Sequence, residues 1–162
     1  MRRYVMSDVV VGYDGSGESE LALRWAVEEA LLRRLPLTVC HAWRWPYPIS
    51  HIDYEGVAIV RRMGEHLLDH GVAVARELAP GVAVRGRLRD GSAAPALLGV
   101  AGDAEVIVVG SRGAEEMPVG SVALRVPARA DRPVVVVRSA APRDGLVVVG
   151  VDGSSGGDAA LG

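Results

Sequence analysis

The stretch Val106-Ile107-Val108-Val109-Gly110-Ser111-Arg112-Gly113, followed closely by Gly120-Ser121, carries the residue types best suited to holding a ligand. Four apolar, mostly β-branched residues run straight into a glycine, as a buried parallel strand does where it leaves its sheet. Glycines at such a point let backbone N–H groups approach a ligand closely, and the start of a following helix favours an anion. Arg112 can reach a phosphate from this loop, although an arginine there also serves as a solvated surface charge. The chemistry indicated is one wall of a nucleotide site. A second valine run, Val9-Val10-Val11, ends in Gly12-Tyr13-Asp14 and offers the opposite wall; Asp14 equally suits a role in the turn or as a helix cap.

The 162 residues contain no lysine, which excludes a Walker A phosphate loop, a Schiff-base enzyme and a kinase-type lysine. His66 and His70 share one helical face at metal-ligand spacing but bring no clear third ligand, so a solvated face and no metal are expected. Cys40 and His41 are adjacent, hence on opposite faces of a strand, and cannot act there as nucleophile and base. The net charge of −2 gives no electrostatic reason to expect nucleic acid or an anionic membrane as partner. No apolar run reaches the ~20 residues that span a bilayer, and Met1–Asp8 has no apolar signal core. With a single cysteine, the expected location is the reducing cytoplasm.

Around these residues strands and helices alternate. Strands are expected at Asp8–Tyr13, Leu37–Ala42, Val82–Leu88, Glu105–Gly110 and Arg132–Arg138. The third alternates apolar and polar residues and suits a half-exposed edge. A helix over residues ~17–34 starts at the N-cap Ser16, carries a Glu20/Arg24 pair and stops before Pro36. Tyr54–Leu78 is helical in pattern, with Gly64 and Gly71 weakening it enough to allow two pieces. A short helix opens after Asp90-Gly91-Ser92 and runs to Ala101, and another begins near Ser121 with Pro127 to kink or stop it. The class is α/β, a parallel open sheet with helices on both faces. In such sheets ligands sit beyond the carboxyl ends of strands where the winding reverses, which would bring Gly12–Asp14 to the Gly110–Gly113 loop.

Residues 147–162 repeat residues 9–24, with nine of sixteen positions identical. Gly150, Asp152, Gly153 and Ser154 reproduce Gly12, Asp14, Gly15 and Ser16. The organisation expected is a domain over 1–138, a linker at 139–145 and the start of a second similar domain at 146–162. Such a stub cannot bury its own valines, so it is expected to be disordered or to add as a strand to a free edge.

The segments VVVGYDGS, LTVCHAW, VIVVGSRG, GSVALRV and RPVVVVR, in this order, resemble a domain of the universal stress protein family. The resemblance implies a Rossmann-like five-stranded sheet of order 3-2-1-4-5, tandem members, and dimers paired through the last strand, here residues 133–138. A homodimer, or a pseudo-dimer with a second tandem domain, follows as the expected assembly. In the ATP-binding branch it also implies a nucleotide site, with Asp14 at the ribose or the adenine edge, Ala42 and Val109 along the base, and the Gly113 and Ser121 N–H groups with the Ser121 hydroxyl at the phosphates; Gly12, Tyr13, Gly110, Arg112, Gly120 and Val122 are the further binding residues expected. The branch pattern G-x2-G-x9-G-S/T is met at Gly110, Gly113 and Gly120-Ser121, but residues 114–119 number six rather than nine and include Glu115 and Glu116. The shortening and the two negative charges oppose a triphosphate, so of the ligands open to the site, ATP, ADP or AMP, AMP-like ones are expected to lose less than ATP relative to family binders, with Mg²⁺ left open. The function implied is an adenine-nucleotide-binding stress-response regulator without robust catalysis. The alternatives are an interaction module of the same fold without nucleotide, and a weak ATP hydrolase.

Overall fold

The computed structural model describes residues 7–48, 50, 52–112, 122–140 and 145–159. The chain order is β1 (Val9–Gly12), α1 (Gly17–Arg33), β2 (Leu37–Trp43), α2 (Tyr54–Leu78), β3 (Val84–Asp90), α3 (Ala93–Val100), β4 (Val106–Gly110), α4 (Val122–Arg125), β5 (Val134–Val137) and α5 (Ser155–Ala159). The first five strands form one parallel sheet in the order β3-β2-β1-β4-β5. This is the expected α/β architecture.

The valines of β1 are fully buried because helices cover both faces. Val9 and Val11 pack with Leu23, Val27, Leu68 and Val72 in the layer under α1 and α2. Val10 turns the other way, to Cys40, Ala94, Leu97 and Ile107 in the layer under α3. A strand buried on both faces needs no alternation, and none is present. Among the described residues no helix is long and apolar enough to cross a membrane.

α1 begins as expected: the Ser16 side chain accepts from the Ser19 N–H, and Glu18 and Glu20 lie in the first turn. Glu20 does not pair with Arg24. It accepts the Tyr13 hydroxyl and lies 3.7 Å from His70, because β1 and α2 bring those groups to the inner side of the helix.

α2 is one helix rather than two. Its buried stripe includes Gly64, Leu68, Gly71, Val72 and Ala75, and the two glycines are points of close approach. A Cβ on Gly71 would stand 2.7 Å from the Tyr13 ring, and one on Gly64 3.2 Å from the Trp43 Cβ. β3 is shifted toward its carboxyl end relative to expectation, pairing Leu37 with Val84 and Trp43 with Asp90. α4 is a single turn, with Pro127 just beyond it. Leu146–Val151 adds to no strand of the described chain, and Val147 and Val148 are 88% and 90% exposed.

Candidate functional site

β1 is the switch point of the sheet: the chain winds outward to β2 and β3 on one side and to β4 and β5 on the other. α1, which follows β1, and α4, which follows β4, lie on opposite faces of the sheet, and a cleft opens at the carboxyl edge. Its enclosed part is about 80 Å³. That is well below the ~300 Å³ at which ligand pockets begin, so among the described residues the cleft is too small to enclose a whole nucleotide.

Of the residues expected here, Gly12, Tyr13, Asp14, Ala42, Val109, Gly110, Arg112 and Val122 line this one cleft. Gly113, Gly120 and Ser121 lie outside the described residues. The geometry at the β1 end is closely specified. Tyr13 N–H donates to the Cys40 carbonyl at 2.9 Å. The Asp14 Oδ1 accepts from the Ser16 N–H at 3.0 Å and from the Ser16 hydroxyl at 2.6 Å, while the Asp14 N–H donates to Ser19 Oγ at 3.3 Å. Asp14 thus does serve the turn. At the β4 end, a Cβ on Gly110 would stand 2.8 Å from the Glu18 backbone, so only glycine lets α1 pack this tightly beside the cleft.

Tyr13 contributes differently from its neighbours. Its ring belongs to the α1–α2 layer, and burial, reinforced by the hydrogen bond and charge of Glu20, pushes its hydroxyl above the ordinary phenol range. Cys40 lies in the α3 layer, where burial raises its thiol to about 11 while the charge of Arg89 works against that rise. It is a neutral wall.

Ser19, Cys40, His41, Ala93, Leu97 and Ala123 also line the cleft and were not expected as site residues. His41 is the most informative. Its Nδ1 lies 2.8 Å from the Tyr13 carbonyl oxygen, which can only accept, so Nδ1 carries the proton and the ring braces the backbone just before Asp14. Its place beside Ala42 at the end of a strand was the only signal for it. Ala93 and Leu97 could be inferred only from the rule that a helix following β3 starts at the same edge as α1.

A larger open groove, about 1030 Å³, lies at the opposite, amino edge of the sheet among Asp8, Arg34, Thr38, Arg85 and Asp103. Asp8 there accepts the Thr38 hydroxyl and lies 3.4 Å from Arg85. Neither a strand-to-helix turn of the kind at Asp14 nor the switch geometry is found at this edge, so it is not the site. Among the described residues no three His, Cys, Asp or Glu side chains gather as metal ligands.

The sequence model of the universal stress protein family matches residues 6–138, the whole five-stranded unit. The chain belongs to this family. Universal stress protein Rv2623 of Mycobacterium tuberculosis is 31% identical over 171 residues, covering 94% of this chain and 56% of that protein. The chain thus spans about half the length of the curated relatives it matches. Among solved structures, the universal stress protein of Archaeoglobus fulgidus in complex with dAMP is 28% identical, with a TM-score of 0.62 over 82% of this chain and 98% of that one. A universal stress protein in complex with cAMP has 24% identity and a TM-score of 0.63 over 82% of this chain and 97% of that one; it supports the shared fold.

Proposed function

We propose that the domain binds an adenine-type nucleotide at the β1–β4 cleft and acts as a regulatory stress-response protein rather than a robust enzyme. The observation that carries this reading is the convergence of the Asp14 turn, the apolar walls of Ala42 and Val109, and Gly110 and Arg112 at one switch-point cleft. Asp14 takes ribose hydroxyls, the apolar walls take the base, and Arg112 lies on the phosphate side. The family relative solved with dAMP supports a monophosphate as ligand. The short segment 114–119 with Glu115 and Glu116 disfavours further phosphates.

Calorimetric titration with AMP, ADP and ATP tests the reading. AMP is expected to bind at least as tightly as ATP. A folded protein that binds none of them at millimolar concentration overturns it, and a marked ATP preference overturns the monophosphate assignment.

Two assignments of organisation accompany this reading. Residues 146–162 are the start of a second similar domain, as the sequence repeat and the greater length of the relatives suggest. The β5 edge, Val134–Val137, is the pairing surface for that domain or for a second copy. A cytoplasmic location suits the single reduced cysteine.

A further inference from the structure

The groups around the cleft follow one another in the order of the strands. Arg112, just beyond β4, supplies positive charge, and Asp14, just beyond β1, supplies an acceptor. Cys40 and Ala42 on β2, with Leu97 of α3, supply small apolar surface. A nucleotide laid along this edge has its phosphate toward Arg112, its ribose at Asp14 and its base against Ala42, with Val109 at the base's inner side and β2 at its outer side. The strand after β2 is β3, about 4.8 Å further out.

In β3 the partner of Ala42 is Arg89, and that of Cys40 is Arg87. Paired residues share a face of the sheet, so Arg89 projects on the α3 side, beside the wall that takes the base. Its charge is felt at Cys40, where it opposes the rise of the thiol pKa. Arg89 is exposed, and among the described residues its guanidinium makes neither a hydrogen bond nor an ion pair. Arg85, on the same face, lies 3.4 Å from Asp8.

A guanidinium only donates. It complements a base edge bearing two acceptors, such as the O6 and N7 of a 6-oxopurine, and pairs poorly with the amino group that adenine presents at the same place. Because Arg89 is solvent-exposed, an adenine there leaves it hydrated rather than stranded.

We propose, resting on the reading of the cleft as a nucleotide site, that Arg89 is a specificity-determining residue that reads the outer edge of the base and admits 6-oxopurine nucleotides alongside adenine nucleotides. Inosine monophosphate is the appropriate probe, since it differs from AMP in carrying oxygen in place of the amino group at C6. In calorimetric titrations the full chain binds IMP at least as tightly as AMP. Arg89→Ala weakens IMP roughly tenfold and leaves AMP within about twofold, whereas Arg87→Ala leaves both unchanged. Wild-type binding of AMP with IMP about tenfold weaker overturns the proposal, as does an equal loss of both nucleotides in Arg89→Ala, while the nucleotide-site reading survives either result. If neither nucleotide binds the folded chain, the reading of the cleft fails and the proposal falls with it.

Discussion

Residues 9–20 and 147–158 place the same turn in two settings. In the first, Asp14 Oδ1 accepts from Ser16 N–H at 3.0 Å and Ser16 Oγ from Ser19 N–H at 3.2 Å. In the second, Asp152 Oδ1 accepts from Ser154 N–H at 2.9 Å and Ser154 Oγ from Gly157 N–H at 3.1 Å. Gly15 and Gly153 hold φ of 79° and 78°. The valines before the two turns behave differently: Val9, Val10 and Val11 are wholly buried in β1, while Val147 and Val148 are exposed and unpaired. The turn is therefore a local property of Asp-Gly-Ser, since a short polar side chain reaches the N–H two residues on. The strand and the cleft need β2 and β4 on either side and helices above and below. Hydrogen bonding from Ser154 holds the fully exposed Asp152 carboxyl below its usual pKa range.

The sharpest way to break this contrast is to truncate equivalent valines. Val10→Ala removes wholly buried methyl groups and is expected to cost about 2–3 kcal/mol in urea unfolding. Val148→Ala, its counterpart at an exposed position, is expected to stay within about 0.5 kcal/mol. Equal effects would mean that the second valine run is packed in solution. A smaller effect comes from the contact above β1. Gly71→Ala places a methyl against the Tyr13 ring and is expected to destabilise by about 1–2 kcal/mol, despite alanine's better helix propensity. A stabilised variant would show that α2 is not held against Tyr13. Smallest is the cap. Ser16→Ala should cost ~1 kcal/mol, measured by the same unfolding curves, and Ser154→Ala should leave the global transition unmoved because its segment lies outside the cooperative core.

Much of the fold was legible because the valine-rich runs and the Ser16 and Gly91-Ser92 helix starts all point to the same βα alternation. The cleft was legible through its backbone: Gly12, Asp14 and Gly110 follow from strand ends and the switch-point rule. The alternation in Val82–Leu88 could not reveal where pairing begins, since that register is set by Leu37, the first residue after Pro36, meeting Val84. Nor could the sequence show that Gly64 and Gly71 are contact points rather than weaknesses, because the reason lies in Trp43 and Tyr13, distant in the chain. His41 and Leu97 carried only the weak signals of a strand end and a helix start, and tertiary approach made them cleft residues. A one-letter pattern does not record which carbonyl a histidine will brace.

The central claim is that the Asp14 turn becomes a nucleotide site through the walls around it and not through its own motif. Calorimetric titration of AMP into the wild type, Asp14→Ala and Asp152→Ala tests it most directly. The account predicts at least tenfold weaker binding in Asp14→Ala, the size of one lost charge-assisted hydrogen bond, and unchanged affinity in Asp152→Ala. Equal weakening in both variants, or undiminished binding in Asp14→Ala, would contradict it.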